Sequence, residues 1–447
     1  MSAGAGGEFA IDPATVREWK RYPAYKDSGV EWLGEVPEHW QLKKTKQILK
    51  EMIGGGTPES GNAKYYSDSQ HGIPWVTIAD ISNCETISST FNCLTEDGLK
   101  SKNLRVLPVG TILYSIYASL GKVAVLYIPA ATNQAILGLI PYQNQIAKTF
   151  LIYWLKAQKE EIIQFSSSNT QSNLNAEKIR NLPVLLPPLP EQQAIAAFLD
   201  RETARLDALI AKKQRFIELL EEKRQALITR AVTKGLDPDV EMKDSGIEWL
   251  GEIPKHWDVR RGRFLYRQLE LSPNSNDGVV TAFRDGQVIS REKRRTDGFT
   301  IAIKELGYQR VRKGDLVIHS MDGFAGAIGV SESDGKCTGE YVVCDPIQKC
   351  NNHYFAACLR LMALRGYIHA FCPSVRQRAP RFRFVRFKDV LLPIPPYFEQ
   401  NEIISYITES TKGLGELIEK NLKIITILLE YRTALISAAV TGNIDVR

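Results

Sequence analysis

Two polar stretches carry the side chains of this sequence that are best suited to recognition chemistry. SSSNTQSNLN, residues 166–175, is rich in amides, and CPSVRQRAPRFRFVRF, residues 372–387, is rich in arginine. Amide side chains can form paired hydrogen bonds with adenine edges in the major groove of DNA, and arginine can do so with guanine edges. The candidate base-reading residues are therefore Asn169, Gln171, Asn173, Arg376, Arg378, Arg381 and Arg383.

Other polar positions suit contacts to the phosphate backbone, which position a protein on DNA without reading its sequence. The turn-rich segment GGGTPESGNAKYY, residues 54–66, supplies Thr57, Lys64 and Tyr65. Basic clusters further along the chain supply Arg291, Arg294, Arg295 and Arg312. Most charge runs are solvated surface, and the net charge of +6 permits a nucleic-acid partner without requiring one.

No catalytic or metal-binding constellation emerges from the sequence. IPPY, residues 394–397, has the length of the loop with which amino-methyltransferases hold a base, but it starts with Ile394 where Asn or Asp is needed. Asp239 and Glu241 lie too close in sequence for a nuclease metal site, and no phosphate-binding G-x-x-x-x-G-K-[ST] loop occurs. One group has a spacing that matches no standard zinc pattern: Cys344, Cys350, His353 and Cys358. We therefore predict no catalytic residue, no metal and no cofactor bound by this chain.

An internal repeat determines the predicted architecture. KDSGVEWLGEVPEHW, residues 26–40, returns as KDSGIEWLGEIPKHW, residues 243–257, with twelve of the fifteen positions identical. LLPPLPEQQAI, residues 185–195, returns as PIPPYFEQNEI, residues 393–403. The sequences between these blocks show no obvious resemblance. We predict two half-units in which a repeated frame surrounds a diverged region, with four tryptophans as packing anchors of the frame: Trp32, Trp40, Trp249 and Trp257.

Each half ends in a predicted long helix with an apolar seam. Residues recur by sevens with a second stripe three residues on, as in a coiled coil. In the first helix these are Leu199, Leu206, Leu220 and Leu227, with Leu209 and Phe216; in the second they are Ile407, Leu414, Leu428 and Leu435, with Leu417 and Ile424. Lys213 and Asn421 interrupt the seams at equivalent positions. Antiparallel pairing would bring Gly442 back to the first repeat block, whereas two unrelated surface helices are the alternative.

The diverged regions read as mixed helix and strand, which makes the predicted class α+β. Strands are predicted at 72–81 and 110–128 with a helix at 147–165, and the second region repeats this order with strands at 307–320 and 327–332 and a helix at 351–371. The predicted divisions are a leader at 1–21, a first domain at 22–184, a helix at 185–235, a second domain at 236–392 and a helix at 393–447.

Composition places the chain in the cytoplasm. Uninterrupted apolar runs of about eighteen residues are absent from the sequence, so we expect no membrane span. The N-terminus lacks the basic start and apolar core of a secretory signal. Seven cysteines without a C-x-x-C pair fit a reducing compartment.

Several motifs in a common order resemble the specificity subunit of type I restriction–modification systems. They include GGGTP at 54–58, GIPWVTIADI at 72–81, TQSNLN at 170–175 and GDLVIHSMDGFAGAIGV at 314–330. The Pro-rich stop, E-Q and long helix that end each half are similar to that family as well. The resemblance covers the chain from about residue 22 to 442; the Gly-rich start has no counterpart in it.

The resemblance implies a division of labour. Each diverged region would be a target-recognition domain that reads one half of a bipartite site in double-stranded DNA, and the helices would form an antiparallel coiled coil that sets the spacing of the half-sites. Two methyltransferase (modification) subunits would dock on the frame, bind S-adenosylmethionine and modify adenine. Restriction subunits using ATP and Mg²⁺ would complete the nuclease. The implied partner-binding helix positions are Leu206, Phe216, Leu220, Leu227, Leu414, Ile424, Leu428 and Leu435.

Two other functions remain open on sequence grounds. A DNA methyltransferase acting alone would need a cofactor loop and a catalytic amide or carboxylate that the sequence does not offer. A helical scaffold that joins protein partners would need neither DNA affinity nor base-reading side chains.

Overall fold

The structure, a computed structural model, describes residues 19–68, 71–82, 84–117, 119–159, 161, 175–294, 307–372 and 381–447. The chain forms two compact units. Unit 1 contains the described residues up to Lys212 together with Ile424–Arg447, and unit 2 is Lys213–Lys423. Both divisions fall inside a long helix and not at the predicted domain boundaries, which stay predictions.

Unit 1 is built from short strands and helices that precede a long helix. Its strands are β1 (Tyr25–Asp27), β2 (Glu35–Pro37), β3 (Gln41–Lys44), β4 (Leu49–Gly54), β5 (Tyr66–Ser67), β6 (Ile73–Val76), β7 (Thr86–Ile87), β8 (Asn92–Leu94), β9 (Ile112–Ser115), β10 (Val123–Leu126), β11 (Ala131–Thr132), β12 (Ile136–Pro141) and β13 (Pro183–Leu186). Its helices are α1 (Thr45–Ile48), α2 (Ile78–Ser82), α3 (Glu96–Ser101), α4 (Lys148–Ala157), α5 (Ala176–Asn181) and the first part of α6 (Leu189–Lys234).

The strands of unit 1 form two sheets and two ladders. The larger sheet has the order β4-β12-β9-β10-β7 and is antiparallel except where β10 meets β7. The smaller has the order β11-β6-β8-β5, with a parallel pair between β11 and β6. The ladders β1–β2 and β3–β13 belong to the repeated frame, and the β3–β13 ladder joins the start of the diverged region to its end.

Unit 2 follows the same plan with different strands. Its strands are β14 (Met242–Asp244), β15 (Glu252–Pro254), β16 (Asp258–Arg261), β17 (Tyr266–Leu269), β18 (Val280–Ala282), β19 (Val288–Ser290), β20 (Gln309–Val311), β21 (Leu316–His319), β22 (Ile328–Val330), β23 (Gly335–Cys337), β24 (Tyr341–Pro346) and β25 (Leu391–Ile394). Its helices are α7 (Asn352–Leu364), α8 (Tyr367–Phe371), α9 (Phe384–Phe387) and α10 (Tyr397–Thr441), the last of which ends in unit 1. An antiparallel sheet has the order β17-β24-β21-β22, and the frame ladders are β14–β15 and β16–β25.

The mixed content of helix and strand with long helices confirms the predicted α+β class. One predicted strand is partly wrong, because 72–81 continues after β6 into α2. The Asp80 carboxylate accepts hydrogen bonds of 2.7 Å from both the backbone N–H and the hydroxyl of Thr77, which favours a helical turn over an extended strand. Trp19, which lies within the predicted leader, packs edge-on against Phe198 with 5.0 Å between ring centroids.

Each unit has its own buried core, and the repeated tryptophans lie in it. Trp40 is fully buried in unit 1 and Trp257 in unit 2, while Trp249 is buried beside Tyr367. Trp32 is half-buried against Trp154. The prediction of packing anchors is confirmed for these side chains.

The C-terminal helix is the most apolar of the long elements. α10 contains an 18-residue window of mean hydropathy 1.5, which is apolar enough to cross a membrane by length and composition. Part of that apolar surface is buried in the core of unit 1, where Leu435, Ile436 and Val440 pack. Another part stays exposed, as at Leu422 and Leu429.

Candidate nucleic-acid interface

The repeat block of unit 1 ends in a buried polar contact that fixes the diverged region to its frame. The indole Nε1–H of Trp40 donates to Oε1 of Glu191 at 3.1 Å, and Nε2 of His39 lies 2.9 Å from Oε2 of the same carboxylate. Glu191 lies in the first turn of α6 and is buried. An unpaired buried carboxylate is costly, so both oxygens need these partners.

The same contact occurs in unit 2 with the equivalent residues. Trp257 donates from Nε1 to Oε1 of Glu399 at 3.0 Å, and Nε2 of His256 lies 2.8 Å from Oε2. Glu399 lies in the first turn of α10. The H-W pair and the E-Q pair are each repeated in the sequence, so this signal was available, although the sequence analysis did not connect them.

The glutamine that follows each glutamate holds the next helix of the unit. Oε1 of Gln192 accepts the backbone N–H of Ala147, the residue before α4, at 2.8 Å. Oε1 of Gln400 accepts the N–H of Asn351, the residue before α7, at 2.8 Å. Both glutamines are buried. Each E-Q pair therefore ties a repeat block and the helix of a diverged region to the start of a long helix.

Each unit also receives the C-terminal end of a long helix. Gly442 follows α10 with a left-handed φ of +79°, and its carbonyl accepts a 3.0 Å hydrogen bond from the Tyr25 hydroxyl. A side chain at this position would collide with the ring of Pro37. Gly235 follows α6 with a φ of +72°, and a side chain there would lie 3.1 Å from Oε1 of Glu399 and in van der Waals contact with Trp257 and Pro254. The predicted return of Gly442 to the first repeat block is confirmed.

The GGGTP loop lies where β4 leaves the larger sheet of unit 1. The N–H of Gly56 donates to the carbonyl of Thr132 at 2.9 Å, and a side chain on Gly55 would collide with the carbonyls of Thr132 and Asn133. The hydroxyl of Thr57 is hydrogen-bonded to the side chain of Gln134. The glycines thus allow the close backbone approach that presents Thr57 beside Gln134.

Lys64 and Tyr65 lie in a single turn of 3₁₀-helix next to α3. The Lys64 ammonium is exposed and forms an ion pair with Asp97 at 3.0 Å, which raises the pKa of the lysine. The Tyr65 side chain is half-buried, and its carbonyl accepts the N–H of Thr95 at 3.1 Å. Lys64 is available to a phosphate only in exchange for Asp97.

Two of the predicted arginines in unit 2 lie beside the β18–β19 hairpin. Arg294 pairs with Asp285 at 2.7 Å and stacks over Phe283, with 4.2 Å from its guanidinium carbon to the ring centroid. Burial raises the pKa of Asp285, but Arg294, the backbone N–H of Gln287 and the charge of Arg360 together outweigh this effect, so that the pKa lies below its ordinary value. Arg291 contacts the Thr281 hydroxyl at 3.4 Å.

The other described arginines are bound to carboxylates of unit 2. The Arg312 guanidinium contacts Asp315 at 3.0 Å and Asp345 at 2.8 Å, which makes it a brace between strands. Arg381 pairs with Glu340 at 2.7 Å, and Arg383 lies 3.8 Å from the same carboxylate. Both remain about half exposed. Six predicted residues lie outside the described part of the chain: Asn169, Gln171, Asn173, Arg295, Arg376 and Arg378.

The predicted helix seams are half right. The first stripe is turned inward: Leu206 and Leu435 share the core of unit 1 with half-buried Leu428, while Leu220 and Leu414 are buried in unit 2 and Leu227 is half-buried. The second stripe is exposed, by 43% at Phe216 and 38% at Ile424. The second stripe does not face the core because α6 buries a neighbouring row instead. That row contains Thr203 and Ile210, and Ile210 is the residue after Leu209.

This exposure divides the predicted partner-binding residues into three groups, of which Leu227 and Leu428 are half-buried. Leu206, Leu220, Leu414 and Leu435 are buried within the chain and cannot meet a partner. Phe216 and Ile424 are open to one. Heptad spacing identifies apolar positions but does not tell which of them pack inside the chain.

A metal centre is absent from the described residues, where groups of three or more His, Cys, Asp or Glu side chains suited to a metal do not occur. Cys344 and Cys358 are buried, and burial raises the pKa of the Cys358 thiol to about 12. These thiols behave as core residues.

The family described as type I restriction modification DNA specificity domain matches residues 37–219. The MjaIX type I restriction enzyme specificity subunit of Methanocaldococcus jannaschii is 26% identical over 93% of this chain and 95% of its own length. The EcoKI specificity subunit of Escherichia coli K12 is 22% identical over 87% and 85%.

The fold has a solved counterpart. A structure from work on complex assembly and conformational transition of the type I R-M system matches with a TM-score of 0.62 at 14% identity, over 91% of this chain and 98% of the other. Over most of its length the chain is similar to the specificity subunits of type I restriction–modification systems. Subunits of this class are not catalytic, because catalysis lies with their partners.

Proposed function

We propose that this chain reads a bipartite site in double-stranded DNA, one half with each diverged region, and directs adenine methylation and restriction by partner subunits. In unit 1 the reader is the region between β3 and β13, and in unit 2 it is the region between β16 and β25. The chain itself supplies no cofactor chemistry. S-adenosylmethionine would be bound by two modification subunits, and ATP with Mg²⁺ would be used by restriction subunits.

One observation carries the proposal. The contacts of Trp40 and His39 with Glu191 recur with Trp257, His256 and Glu399, although the strands mounted between them differ in sequence and order. Two equivalent sets of frame contacts that hold different recognition regions are what recognition of two unrelated half-sites requires. A protein that bound one continuous site or one small ligand would have no need for two such mounts.

The long helices would act as an antiparallel coiled coil between the readers. In unit 1 the start of α6 meets the end of α10, since Asp207 pairs with Arg432 at 2.9 Å and Leu206 shares a core with Leu435. In unit 2 the end of α6 meets the start of α10, since Ile228 and Ile407 pack on one core. Both pairings support antiparallel helices. The exposed stripe that includes Phe216 and Ile424 would face the modification subunits.

The reading residues of the proposal are the polar side chains predicted above. Lys64, Arg291, Arg294, Arg381 and Arg383 are exposed at least in part, so a phosphate or a base edge can reach them. Arg312 has a structural role within the same fold. The two polar stretches rich in amide and arginine would provide the base contacts.

Sequencing of methylated adenine in DNA tests the proposal. The chain is expressed with its modification subunit in a host without adenine methylation, and all modified positions are mapped. Two short specified segments separated by an unspecified spacer are expected. A continuous specified site would contradict the proposal, and methylation by this chain without a partner would favour the stand-alone enzyme.

A further inference from the structure

Unit 1 has a surface groove along the β3–β13 ladder that the reading function does not use. Its volume is about 840 Å³, and its walls include Trp32, Leu42, Lys43, Lys44, Lys178 and Pro183. Leu42 is 40% exposed although it is apolar. The lining therefore combines exposed apolar surface with three lysines, and it includes one carboxylate, Glu177.

Unit 2 has a groove along the equivalent ladder, β16–β25. Its volume is about 520 Å³, and it is lined by Val259, Arg260, Arg261, Phe264 and Leu391. Phe264 is 60% exposed and Leu391 is 36% exposed. Again an exposed apolar surface lies directly beside two cations.

The ladder positions of the two grooves correspond. The separation of 217 residues that relates the repeat blocks also relates Lys43 to Arg260 and Lys44 to Arg261. The ladders have the same register, because Pro183 pairs with Lys44 and Leu391 pairs with Arg261. Lys46 and Arg263 extend the correspondence to a third cation. The ladder residues of both grooves belong to the frame, while Lys178 and Phe264 are contributed by the regions between the ladder strands.

Positive charge exceeds negative charge at both rims. In unit 2, Asp258 pairs with Arg260 at 3.1 Å, and Asp389 lies 3.1 Å from Arg263 and 3.8 Å from Arg261. In unit 1 the Lys43 ammonium contacts only the neutral Gln145 oxygen among the described side chains, at 3.3 Å. A ligand that fits both grooves must therefore combine apolar and acidic groups.

We propose that each groove docks one copy of the same partner protein, through a segment in which an apolar anchor side chain is flanked by carboxylates. This assignment rests on the proposed function, in which two modification subunits join the chain, and it locates one contact of each. Interfaces gain most of their binding energy from a few buried apolar or arginine contacts surrounded by a polar rim, which is the composition of these grooves.

Duplex DNA fits these grooves less well than a protein does. Phosphates would satisfy the cations, but the DNA backbone offers nothing to cover Leu42, Phe264 and Leu391. Exposed apolar side chains such as these gain free energy when a partner removes them from water. The acidic and apolar protein segment accounts for both properties.

Charge reversal in one half at a time tests the assignment. The full chain carries Lys43→Glu with Lys44→Glu, or Arg260→Glu with Arg261→Glu, or all four. It is mixed with the purified modification subunit, and stoichiometry is measured by native mass spectrometry. Each double variant is expected to retain one partner copy and to bind the second at least roughly tenfold more weakly. The fourfold variant is expected to lose both copies.

Matched variants and a DNA measurement separate the outcomes. Lys122→Glu, an exposed charge reversal elsewhere in unit 1, and the conservative pair Lys43→Arg with Lys44→Arg should keep two copies. If the fourfold variant still binds two copies at wild-type affinity, this assignment is wrong, while the proposed function is unaffected. Two copies with weakened, less salt-dependent DNA binding would also overturn it, because the grooves would then contact phosphates. A wild-type chain that binds no modification subunit would overturn the proposed function and this assignment together.

Discussion

The indole N–H of Trp40 donates a 3.1 Å hydrogen bond to the Glu191 carboxylate across 151 residues of chain. The region of unit 1 that has diverged in sequence from its counterpart in unit 2 lies between these two residues along the chain. The contact therefore closes the diverged region at its base, and its repetition with Trp257 and Glu399 lets different readers use one mount.

Removal of this hydrogen bond should destabilise each unit by itself. Trp40→Phe leaves a buried carboxylate oxygen without its indole donor, at a cost of about 1–3 kcal/mol in the free energy of unfolding. A double-mutant cycle with Glu191→Gln, followed by urea unfolding, should give a coupling energy well above zero. The same Trp40→Phe change combined with Glu399→Gln should be additive, and coupling of equal size in both cycles would contradict the pairing.

The glycines that end the long helices should tolerate no side chain. Gly442→Ala requires a left-handed conformation and a collision with Pro37, so we expect a loss of more than about 1 kcal/mol in the free energy of unfolding. Gly235→Ala should behave similarly in unit 2. Gly415→Ala, within α10 and free of neighbours, should instead stabilise the protein by about 0.5–1 kcal/mol. A stabilising Gly442→Ala in thermal unfolding would refute the close packing.

Asn421 should be a site where an apolar residue raises stability. It is 5% exposed within α10, its Nδ2 donates to the Leu417 carbonyl at 2.8 Å, and its Oδ1 has no donor among the described residues. Asn421→Leu removes a buried unsatisfied oxygen, so the free energy of unfolding should rise by about 1–2 kcal/mol.

Asn401 provides the matched comparison for that change. It lies in the same helix, but its Oδ1 accepts a 2.8 Å hydrogen bond from Asn351. Asn401→Leu should therefore lower the melting temperature, while Asn421→Leu should raise it. Equal shifts in both variants would show that helix propensity, and not the unsatisfied oxygen, controls stability here.

The Arg312 brace should make stability dependent on acid pH. Burial raises the pKa of Asp345, but Arg267 and Arg312 outweigh this effect and hold the pKa below its ordinary value. A lowered carboxyl pKa stabilises the fold above the unfolded-state pKa, and that contribution is lost as pH falls through the folded-state pKa. Arg312→Gln should cost about 1–2 kcal/mol at pH 7, allowing for its partial exposure, and less near pH 3.

Urea unfolding of both proteins at the two pH values measures that difference. Because both ion-pair partners of Arg312, Asp315 and Asp345, lie in unit 2, the loss of stability should be local to that unit. A gap between wild type and Arg312→Gln that grows as pH falls would exclude the brace. If Arg312→Gln instead binds DNA more weakly at unchanged stability, Arg312 contacts the DNA phosphate backbone, as predicted from the basic cluster.

The helices should set the length of the unread DNA spacer. Insertion of seven residues, one heptad, into both α6 and α10 adds about 10 Å of helix, which corresponds to about three base pairs. Methylome sequencing should show both half-sites unchanged and the spacer longer by that amount. Seven Gly and Ser residues inserted into the exposed connector at 236–241 provide the control and should leave the spacer as it was.

Sequence reasoning anticipated the frame better than the surface. The repeat identified Trp40 and Trp257 as packing anchors, because identical segments imply identical packing, and the apolar seams located the long helices and, with antiparallel pairing, the return of Gly442. It missed the exposure of Phe216 and Ile424, since spacing alone does not show which apolar stripe meets the core. It also did not foresee the ion pair of Arg312 with Asp345, because Asp345 comes near only through the strand pairing of β24 with β21.

The pairing of Lys20 with Asp445 places the two ends of the described chain side by side. A short peptide joining them would close the polypeptide into a ring, and new ends could be opened in the exposed connector between Gly235 and Met242. Such a circularly permuted protein would begin with the second repeat block and keep both His–Trp–Glu contacts intact. The order of the two readers along the gene is then a matter of where the ring is cut, and exchanging that order need not alter the folded molecule.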